Sequence, residues 1–173
     1  MVLFVLSFNF QGGKKITSID LGCGNNKINP YFIGVDKRST NETNVVTEAD
    51  DLSPFADASV NVVYSRRCIQ HVADDDRVFK EIYRVLTPNG IVVIEVASVF
   101  NALASKMLNR LGIKKYPYPL FHVYTRKVLR KKIEASGLVI VSLSLAPTAT
   151  PFFKNHVAIC TKGQKSGLIS KTK

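Results

Sequence analysis

A carboxylate and two glycines stand together near the start of the chain, at the end of an apolar run. Asp20 closes the run of residues 16–19, and Gly22 and Gly24 follow it. Glycine lets the backbone pass close beneath a ligand, because a Cβ atom at the same place would occupy the ligand's space. An acid-x-Gly-x-Gly turn after a buried strand is therefore typical of a site for a nucleoside cofactor.

Two further strand ends also carry carboxylates. Asp36 follows the apolar segment of residues 31–35, and Asp50 and Asp51 follow that of residues 44–49. Ligands of open α/β sheets lie across the carboxyl ends of the strands. A carboxylate after the second strand can accept from both hydroxyls of a ribose, and one after the third can accept from the exocyclic amine of adenine. The three positions together predict a nucleoside ligand.

The glycine turn lacks two features that a nicotinamide dinucleotide requires. The fingerprint for that cofactor has a third glycine where this chain has Lys27, and it sets a helix N-terminus against the pyrophosphate. Residues 25–30 are too few for an ordinary crossover helix, so we expect the first helix to be shortened or absent. S-adenosylmethionine has no phosphate and can bind without that helix. The sequence therefore favours S-adenosylmethionine as the cofactor.

With these acids in place, four segments of the chain resemble the class I S-adenosylmethionine-dependent methyltransferases, in particular their small single-domain branch. The resemblance runs over about residues 16–96 and more loosely to 162. Gln70-His71 stands where relatives often have Glu-His after the fourth strand. The most specific segments are residues 19–24, 33–36, 51–60 and 85–90.

The resemblance implies a set of cofactor contacts spread over four strand ends. The residues after the first strand would border the methionine moiety, the acid after the second would hold the ribose hydroxyls, and those after the third would hold adenine. Two residues after the fourth strand would line the methionine end near the transferable methyl group. In that order the implied contacts are Asp20, Gly22 and Gly24; Asp36; Asp50 or Asp51 with the amide of Leu52; and Ser65 with Arg66.

Three residues are candidates for a general base, should the acceptor have to lose a proton. Methyl transfer is an in-line displacement at an activated methyl group, so positioning of the reactants can supply most of the rate. The candidates are His71, His122 and Tyr124, which flank the expected mouth of the site. Each of them could instead have a structural role, as a hydrogen-bonded residue beside a helix start.

Arg66 and Arg67 are unexpected next to a sulfonium cofactor, because two cations repel each other unless an anion lies between them. One interpretation is an acceptor that carries a carboxylate or a phosphate. The other is that the guanidinium groups turn outward into solvent.

The elements that must position these residues alternate between strand and helix and then finish with two strands. Helices are predicted at residues 74–86, 99–111 and, after a Thr125 cap, to about 135; later strands are predicted at residues 91–96, 139–145 and 156–161. This order predicts an α/β fold, a three-layer Rossmann-like sandwich whose sheet is mostly parallel with an antiparallel C-terminal edge. We expect one methyltransferase domain over residues 1–162 and a basic, disordered tail over residues 163–173.

The bulk composition is that of an ordinary globular domain except for its charge. The chain has 173 residues, 46% of them hydrophobic, and a net charge of +11. The apolar run at residues 2–6 is too short to span a bilayer, and we expect residues 2–10 or a partner subunit, as in a homodimer, to cover the sheet where the first helix is missing. Three scattered cysteines indicate neither a disulfide framework nor a zinc site, and the protein is expected to be cytoplasmic.

Three functions are compatible with these patterns. The first is methyl transfer to a small or lipid-like acceptor, expected at oxygen. The second is methylation of RNA, which the basic charge favours, although residues 65–68 do not match the motif of base-amine methylases. The third is a non-catalytic relative that binds the cofactor or a partner protein.

Overall fold

A seven-stranded sheet organises the part of the chain that the computed structural model describes, residues 16–113, 118–147 and 154–163. Its strands are β1 Ser18–Leu21, β2 Ile33–Asp36, β3 Val45–Val46, β4 Val60–Arg66, β5 Leu86–Ala97, β6 Val139–Pro147 and β7 Lys154–Thr161. The order across the sheet is β3-β2-β1-β4-β5-β7-β6. Only β7 runs antiparallel to its neighbours, β5 and β6. The prediction of a Rossmann-like, mostly parallel sheet with an antiparallel C-terminal part is confirmed.

Helices cover one face of this sheet. They are α1 Asp75–Val85 and α3 Arg126–Ala135, while α2 Val99–Arg110 follows β5 and reaches β5 and β7. Because side chains alternate along a strand, Ile19, Val63 and Val92 share one face, and they pack with buried residues of α1 and α3. None of the helices in the described ranges has the length and apolar content of a membrane span.

The opposite face carries a second apolar cluster around Val62, Tyr64 and Val93, with Phe32 from the connection between β1 and β2. That connection, residues 22–32, contains no helix, so the predicted loss of the first crossover helix is confirmed. The described residues therefore place α1 and α3 on one face and mainly this loop on the other. The N-terminal segment 2–10, which we expected to help cover the sheet, lies outside the described residues, as do residues 164–173 of the expected tail.

Two strand boundaries differ from the predictions. β3 ends at Val46, three residues before the predicted end, because the chain then turns, with the Asp51 amide donating to the Glu48 carbonyl at 3.1 Å. β5 begins at Leu86, directly after α1, whereas residues 87–90 were predicted as a turn that precedes the strand. Residues 87–90 interrupt the pairing of β5 with β4, because Val60 pairs with Leu86 whereas Val62 already pairs with Ile91.

A buried carboxylate joins α1 to α3. Asp75, in the first turn of α1, accepts a hydrogen bond from the Tyr124 hydroxyl at 2.7 Å and another from Lys132 Nζ at 2.6 Å. Burial acts to lower the pKa of Lys132, but its hydrogen bonds to Asp75 and Asp76 outweigh burial and the pKa is raised. A buried charge is costly unless it is paired, so this pair fixes how α3 sits against α1.

Replacement of Lys132 by methionine should therefore leave Asp75 with an uncompensated charge. We expect the Lys132→Met variant to lose about 2 kcal/mol of unfolding free energy, measured by urea denaturation at pH 7. The matched control is Lys131→Met, next along α3 and exposed, which should change stability by less than about 0.5 kcal/mol. Equal effects of the two substitutions would show that the Asp75 pair is not what joins the helices.

Candidate functional site

The glycine turn after β1 adopts a backbone that only glycine accepts easily. Gly22 and Gly24 have φ angles of 77° and 54°, in the left-handed region. The amide of Gly22 donates to the Val35 carbonyl on β2 at 2.7 Å. A Cβ atom on Gly22 would overlap the Cys68 side chain, which lies just beyond β4. The turn therefore needs glycine at both positions to pass between β2 and the residues that follow β4.

Two of the predicted acids hold this turn from either side. Asp20 Oδ2 accepts from the Ile28 amide at 2.6 Å, and Asp36 Oδ2 accepts from the Gly24 amide at 2.9 Å. Asp36 Oδ1 also accepts from the amide of Arg38 at 3.0 Å. Burial raises the pKa of Asp20, against the lowering effect of the Ile28 hydrogen bond. Each carboxylate oxygen has two lone pairs, so both groups can still accept from a ligand.

The residues predicted to hold adenine point largely toward α1. Asp51 is exposed, and its carboxylate accepts from the Ser53 amide at 3.2 Å, which lowers its pKa. The Leu52 amide donates to Glu81 Oε2 on α1 at 2.8 Å, so an adenine contact through this amide would require that bond to break. Asp50 is half-buried, and its carboxylate has no hydrogen-bond partner among the described residues.

Glu48 is an acid near the site that the sequence analysis did not select. The negative charge of Glu48, like those of Asp36 and Asp20, acts to raise the pKa of the Cys68 thiol. The charged side chains that act on the pKa of Asp51 belong to α1 instead. The reason it was missed is the length of β3. The prediction continued this strand to residue 49, but it ends at Val46, and Glu48 is then the first acid after the strand.

The residues at the end of β4 combine an unsatisfied hydroxyl with an unpaired cation. Ser65 is fully buried, and its Oγ has no hydrogen-bond partner. Arg66 is half-buried and forms no ion pair with the described residues, and its charge lowers the pKa of Asp20. Arg67 follows with a left-handed φ of 55°, an uncommon conformation for this residue type, and is exposed.

Tyr118 lies between the ends of β2 and β4, and sequence reasoning did not select it. Its ring lies 5.0 Å from the Arg38 guanidinium carbon, and its centroid is 6.0 Å from that of His71. Arg38 in turn hydrogen-bonds to Asp36. The ring thus spans the edge of the sheet at which the acids and the glycine turn lie. Nothing in the local sequence marks this contact, because it joins three separate segments.

Among the three base candidates, His71 has the most suitable arrangement. Its Nδ1 lies 2.7 Å from the Pro119 carbonyl, which can only accept, so Nδ1 carries the proton in the neutral ring. Nε2 then carries the lone pair, and the Gln70 side-chain amide lies 3.3 Å from it. Gln70 is itself fixed, because its Oε1 accepts from the Ala97 amide at 2.8 Å. His71 therefore presents a proton-accepting nitrogen after β4.

The structure gives the other two candidates structural contacts. Tyr124 is a correction: it is fully buried, its hydroxyl donates to Asp75, and burial strongly raises its pKa, so it cannot reach an acceptor. His122 Nε2 lies 3.0 Å from the Ala73 carbonyl, and its Nδ1 lies 3.6 Å from Asp75 Oδ2. Both ring nitrogens of His122 thus face the start of α1.

Carboxylates and cationic side chains lie together around the glycine turn: Lys27 and Arg66 act on Asp20, and Arg38 bonds to Asp36. Asp20, Asp36 and Glu48 all contribute to the field at Cys68, where burial raises the thiol pKa to about 12. This thiol stays protonated at neutral pH and is not a nucleophile. The described residues contain no group of His, Cys, Asp or Glu that could hold a metal ion. The carboxylates of Asp20 and Asp36 match a nucleoside that carries hydroxyl and amine donors.

Comparison with known proteins agrees with this arrangement. Residues 11–94 match the family model described as a methyltransferase domain. A stretch of 40 residues is 48% identical to phosphoethanolamine N-methyltransferase 2 of Caenorhabditis elegans. That stretch is 23% of this chain and only 9% of the relative, so the chain matches less than a tenth of that protein.

Solved structures share the fold at low sequence identity. A chain in the complex between the Haloferax volcanii Trm112 methyltransferase activator and a methyltransferase has a TM-score of 0.65 and 19% identity, over 86% of this chain and 82% of that one. A Methanosarcina mazei S-adenosylmethionine-dependent methyltransferase has a TM-score of 0.65 and 19% identity, over 84% of this chain and 92% of that one. The Burkholderia thailandensis 1,6-didemethyltoxoflavin-N1-methyltransferase, with S-adenosylhomocysteine bound, has a TM-score of 0.67 and 17% identity, over 88% of this chain and 73% of that one.

The fold defined by this sheet order and glycine turn is that of the class I, Rossmann-like methyltransferases. Residues 11–94 match the methyltransferase-domain model, and S-adenosylmethionine is the cofactor that this match and the fold support.

Glu48 and Asp51 make a matched pair for testing which acid serves the cofactor. We expect Glu48→Gln to weaken binding of S-adenosylhomocysteine about tenfold, because it removes a charge-assisted hydrogen-bond acceptor. Asp51→Asn should change binding by less than about twofold, because Asp51 is exposed and its carboxylate bonds to Ser53. Isothermal titration calorimetry measures both, and the reverse ranking would return the adenine contact to Asp51.

Proposed function

We propose that this enzyme methylates a small acceptor that carries an anionic group, and that Arg66 holds that group. The observation that carries the proposal is the state of Arg66: half-buried, beside Asp20, and without an ion pair among the described residues. A guanidinium in this position offers a fork of N–H donors that matches a phosphate or a carboxylate. Arg67 adds a second, exposed positive charge at the same strand end.

The cofactor contacts after the first two strands remain those implied by the sequence, whereas Glu48 takes the place of Asp51 and Leu52 after the third. Asp20, Gly22 and Gly24 would border the methionine part, and Asp36 would hold the ribose hydroxyls. Glu48 or Asp50 would accept from adenine. When bound, S-adenosylmethionine supplies a methyl group on a positively charged sulfur, and the acidic residues of the site favour that charge.

The acceptor must lose a proton whether it is a hydroxyl or an ammonium group, and we assign this step to His71 Nε2. The Pro119 carbonyl holds Nδ1–H at 2.7 Å, and this bond fixes the tautomer and the orientation of the ring. The Gln70 amide, 3.3 Å from Nε2, would give way to the acceptor proton. His71 then passes from neutral imidazole to imidazolium as the acceptor becomes nucleophilic.

Oxygen and nitrogen are the two candidate acceptor atoms, and each has separate support. Oxygen is the expectation from the sequence. Nitrogen is supported by the match to a phosphoethanolamine N-methyltransferase, whose name also includes a phosphate. A lipid-like acceptor is supported by α2, where the apolar side chains of Phe100, Leu103 and Met107 are 56–81% exposed.

An assay with labelled S-adenosylmethionine tests the acceptor class and the role of Arg66 together. The acceptors are phosphoethanolamine, glycerol 3-phosphate and vesicles of phosphatidylethanolamine, and ethanolamine is the control that lacks a phosphate. We expect transfer to an anionic acceptor, and an Arg66→Gln variant should raise its KM about tenfold. The control Arg77→Gln, exposed on α1, should leave KM unchanged. Equal use of ethanolamine and phosphoethanolamine, or an unchanged KM in Arg66→Gln, would contradict the proposal.

A second variant tests the base. His71→Gln should lower kcat about a hundredfold with little change in KM, because general-base catalysis contributes to the rate and not to ground-state binding. His122→Gln is the matched control and should lower thermal stability with a much smaller effect on kcat, since its ring faces Ala73 and Asp75. The base would be assigned to His122 if the two kcat effects were reversed.

The other two functions predict different results. An RNA methyltransferase would bind RNA with a steep salt dependence, because each phosphate contact releases counterions. A non-catalytic relative would bind S-adenosylhomocysteine but transfer no methyl group to any acceptor of the panel. Absence of cofactor binding in calorimetry at near-millimolar concentration would contradict both enzyme functions.

A further inference from the structure

The charge of this chain is divided unevenly between its two halves. Residues 1–95 contain 10 Lys and Arg and 12 Asp and Glu, whereas residues 96–173 contain 14 Lys and Arg and a single acid, Glu134. The whole positive excess therefore belongs to the second half, which includes α2, α3, β6 and β7. Such an imbalance between the halves of a chain is typical of proteins that bind a nucleic acid or a membrane surface.

α2 is attached to the sheet through small and polar side chains. Asn101 Nδ2 donates to Asn155 Oδ1 on β7 at 2.7 Å, and Asn155 Nδ2 donates in turn to Glu95 Oε1 on β5 at 2.6 Å. The buried residue of this helix is Ala102. A helix of a globular domain normally turns its large apolar side chains toward the core, so α2 has the reverse arrangement.

The outward face of α2 has a row of large apolar side chains, which we call the α2 stripe: Phe100, Leu103, Met107 and, directly after the helix, Leu111. Their spacing of three and four residues places them on one face, and they are 56–81% exposed. Leu145 on β6 is also exposed and lines the same surface depression as Phe100. A continuous exposed apolar surface of this kind marks an interaction site.

Basic side chains border the α2 stripe. Lys106 and Arg110 are exposed, and each follows a residue of the stripe by three positions, so they lie beside it on the helix surface. Arg126 and Lys154 line the depression at the N-terminal end of the stripe. Residues 96–133 contain no Asp or Glu. The surface around α2 is therefore apolar and positively charged at the same time.

We infer that the α2 stripe docks this protein on an anionic lipid bilayer. Its apolar side chains enter the boundary between headgroups and acyl chains, and the flanking cations contact the lipid phosphates. The helix lies on the membrane and does not span it. Docking needs neither cofactor nor acceptor, so the inference does not rest on the proposed methyl transfer.

Other occupants match only one of the two properties of this surface. An RNA would pair with the cations, but Leu103 and Met107 offer no flat ring on which a base could stack. A second copy of the chain that docked through α2 would bring like charges together. The apolar run at residues 2–6 has no acid to pair with the cations. An anionic bilayer has both an apolar interior and a negative surface.

Cosedimentation of the full-length chain with vesicles tests the inference in the absence of S-adenosylmethionine. One set of vesicles is phosphatidylcholine alone, and the other is phosphatidylcholine with phosphatidylglycerol. We expect binding to the anionic vesicles to be about tenfold tighter than to the neutral ones, because cations near the surface gain from its negative potential. Added salt should weaken this binding by screening that potential.

Two variants separate the apolar and the charged contributions. Leu103→Gln combined with Met107→Gln should weaken binding to anionic vesicles about tenfold, because less apolar surface leaves water. Both side chains are exposed, so the melting temperature should not change. Lys106→Gln should weaken binding about fivefold. The matched control Lys80→Gln, exposed on α1, should bind as the unmodified chain does.

A tryptophan probe reports the docking directly, because the chain has no tryptophan of its own. In a Phe100→Trp variant, fluorescence should shift to shorter wavelength when anionic vesicles are added, since the ring leaves water for the membrane interface. The control Tyr31→Trp places the probe at an exposed position between β1 and β2, and its emission should not shift.

Four results would overturn the inference. The first is no binding to anionic vesicles, and the second is unchanged binding in the variant that combines Leu103→Gln with Met107→Gln. The third is binding of single-stranded RNA as tight as that of the vesicles and insensitive to the same variant, which would assign the cations to RNA. The fourth is a dimer in analytical ultracentrifugation that this variant makes monomeric, which would assign the α2 stripe to a second copy. Failure of methyl transfer to any acceptor has no bearing on these outcomes.

Discussion

The rest of the site depends on how the backbone amides of the glycine turn are satisfied. With no helix between β1 and β2, the turn cannot use helical hydrogen bonds, and buried amides need partners. Asp20 accepts from Ile28 at 2.6 Å and Asp36 from Gly24 at 2.9 Å. The same carboxylates that favour a cationic cofactor therefore also build the turn on which it would lie. Stability and binding are joined at these two residues.

The local patterns of the chain were sufficient for the sheet, the missing helix and the Thr125 cap, because each follows from near neighbours in sequence. Long-range contacts were not readable. Glu48 became a strand-end acid only because β3 stops at Val46, where a turn closed by the Asp51 amide and the Glu48 carbonyl begins. Tyr124 looked available until Asp75, 49 residues away, was found to hold its hydroxyl. The contacts of Tyr118 join three segments, and no single segment indicates them.

The distribution of charge separates two regions along one edge of the sheet. Around the glycine turn the charge is mixed, because the carboxylates of Asp20 and Asp36 are accompanied by Lys27, Arg38 and Arg66. Beyond β5 it is positive, set by Arg126, Lys154 and the ends of two helices that lack first-turn acids. Arg66 lies at the end of β4, between these regions.

The position of Tyr118 has a kinetic consequence. Its ring contacts Arg38 beside Asp36 on one side and His71 on the other, and the amides of Phe121 and His122 tie the following residues to the Gln70 carbonyl. A nucleoside that enters or leaves between the ends of β2 and β4 must move this ring and so loosen its contact with the base. Such a movement of Tyr118 would also change the surroundings of His71.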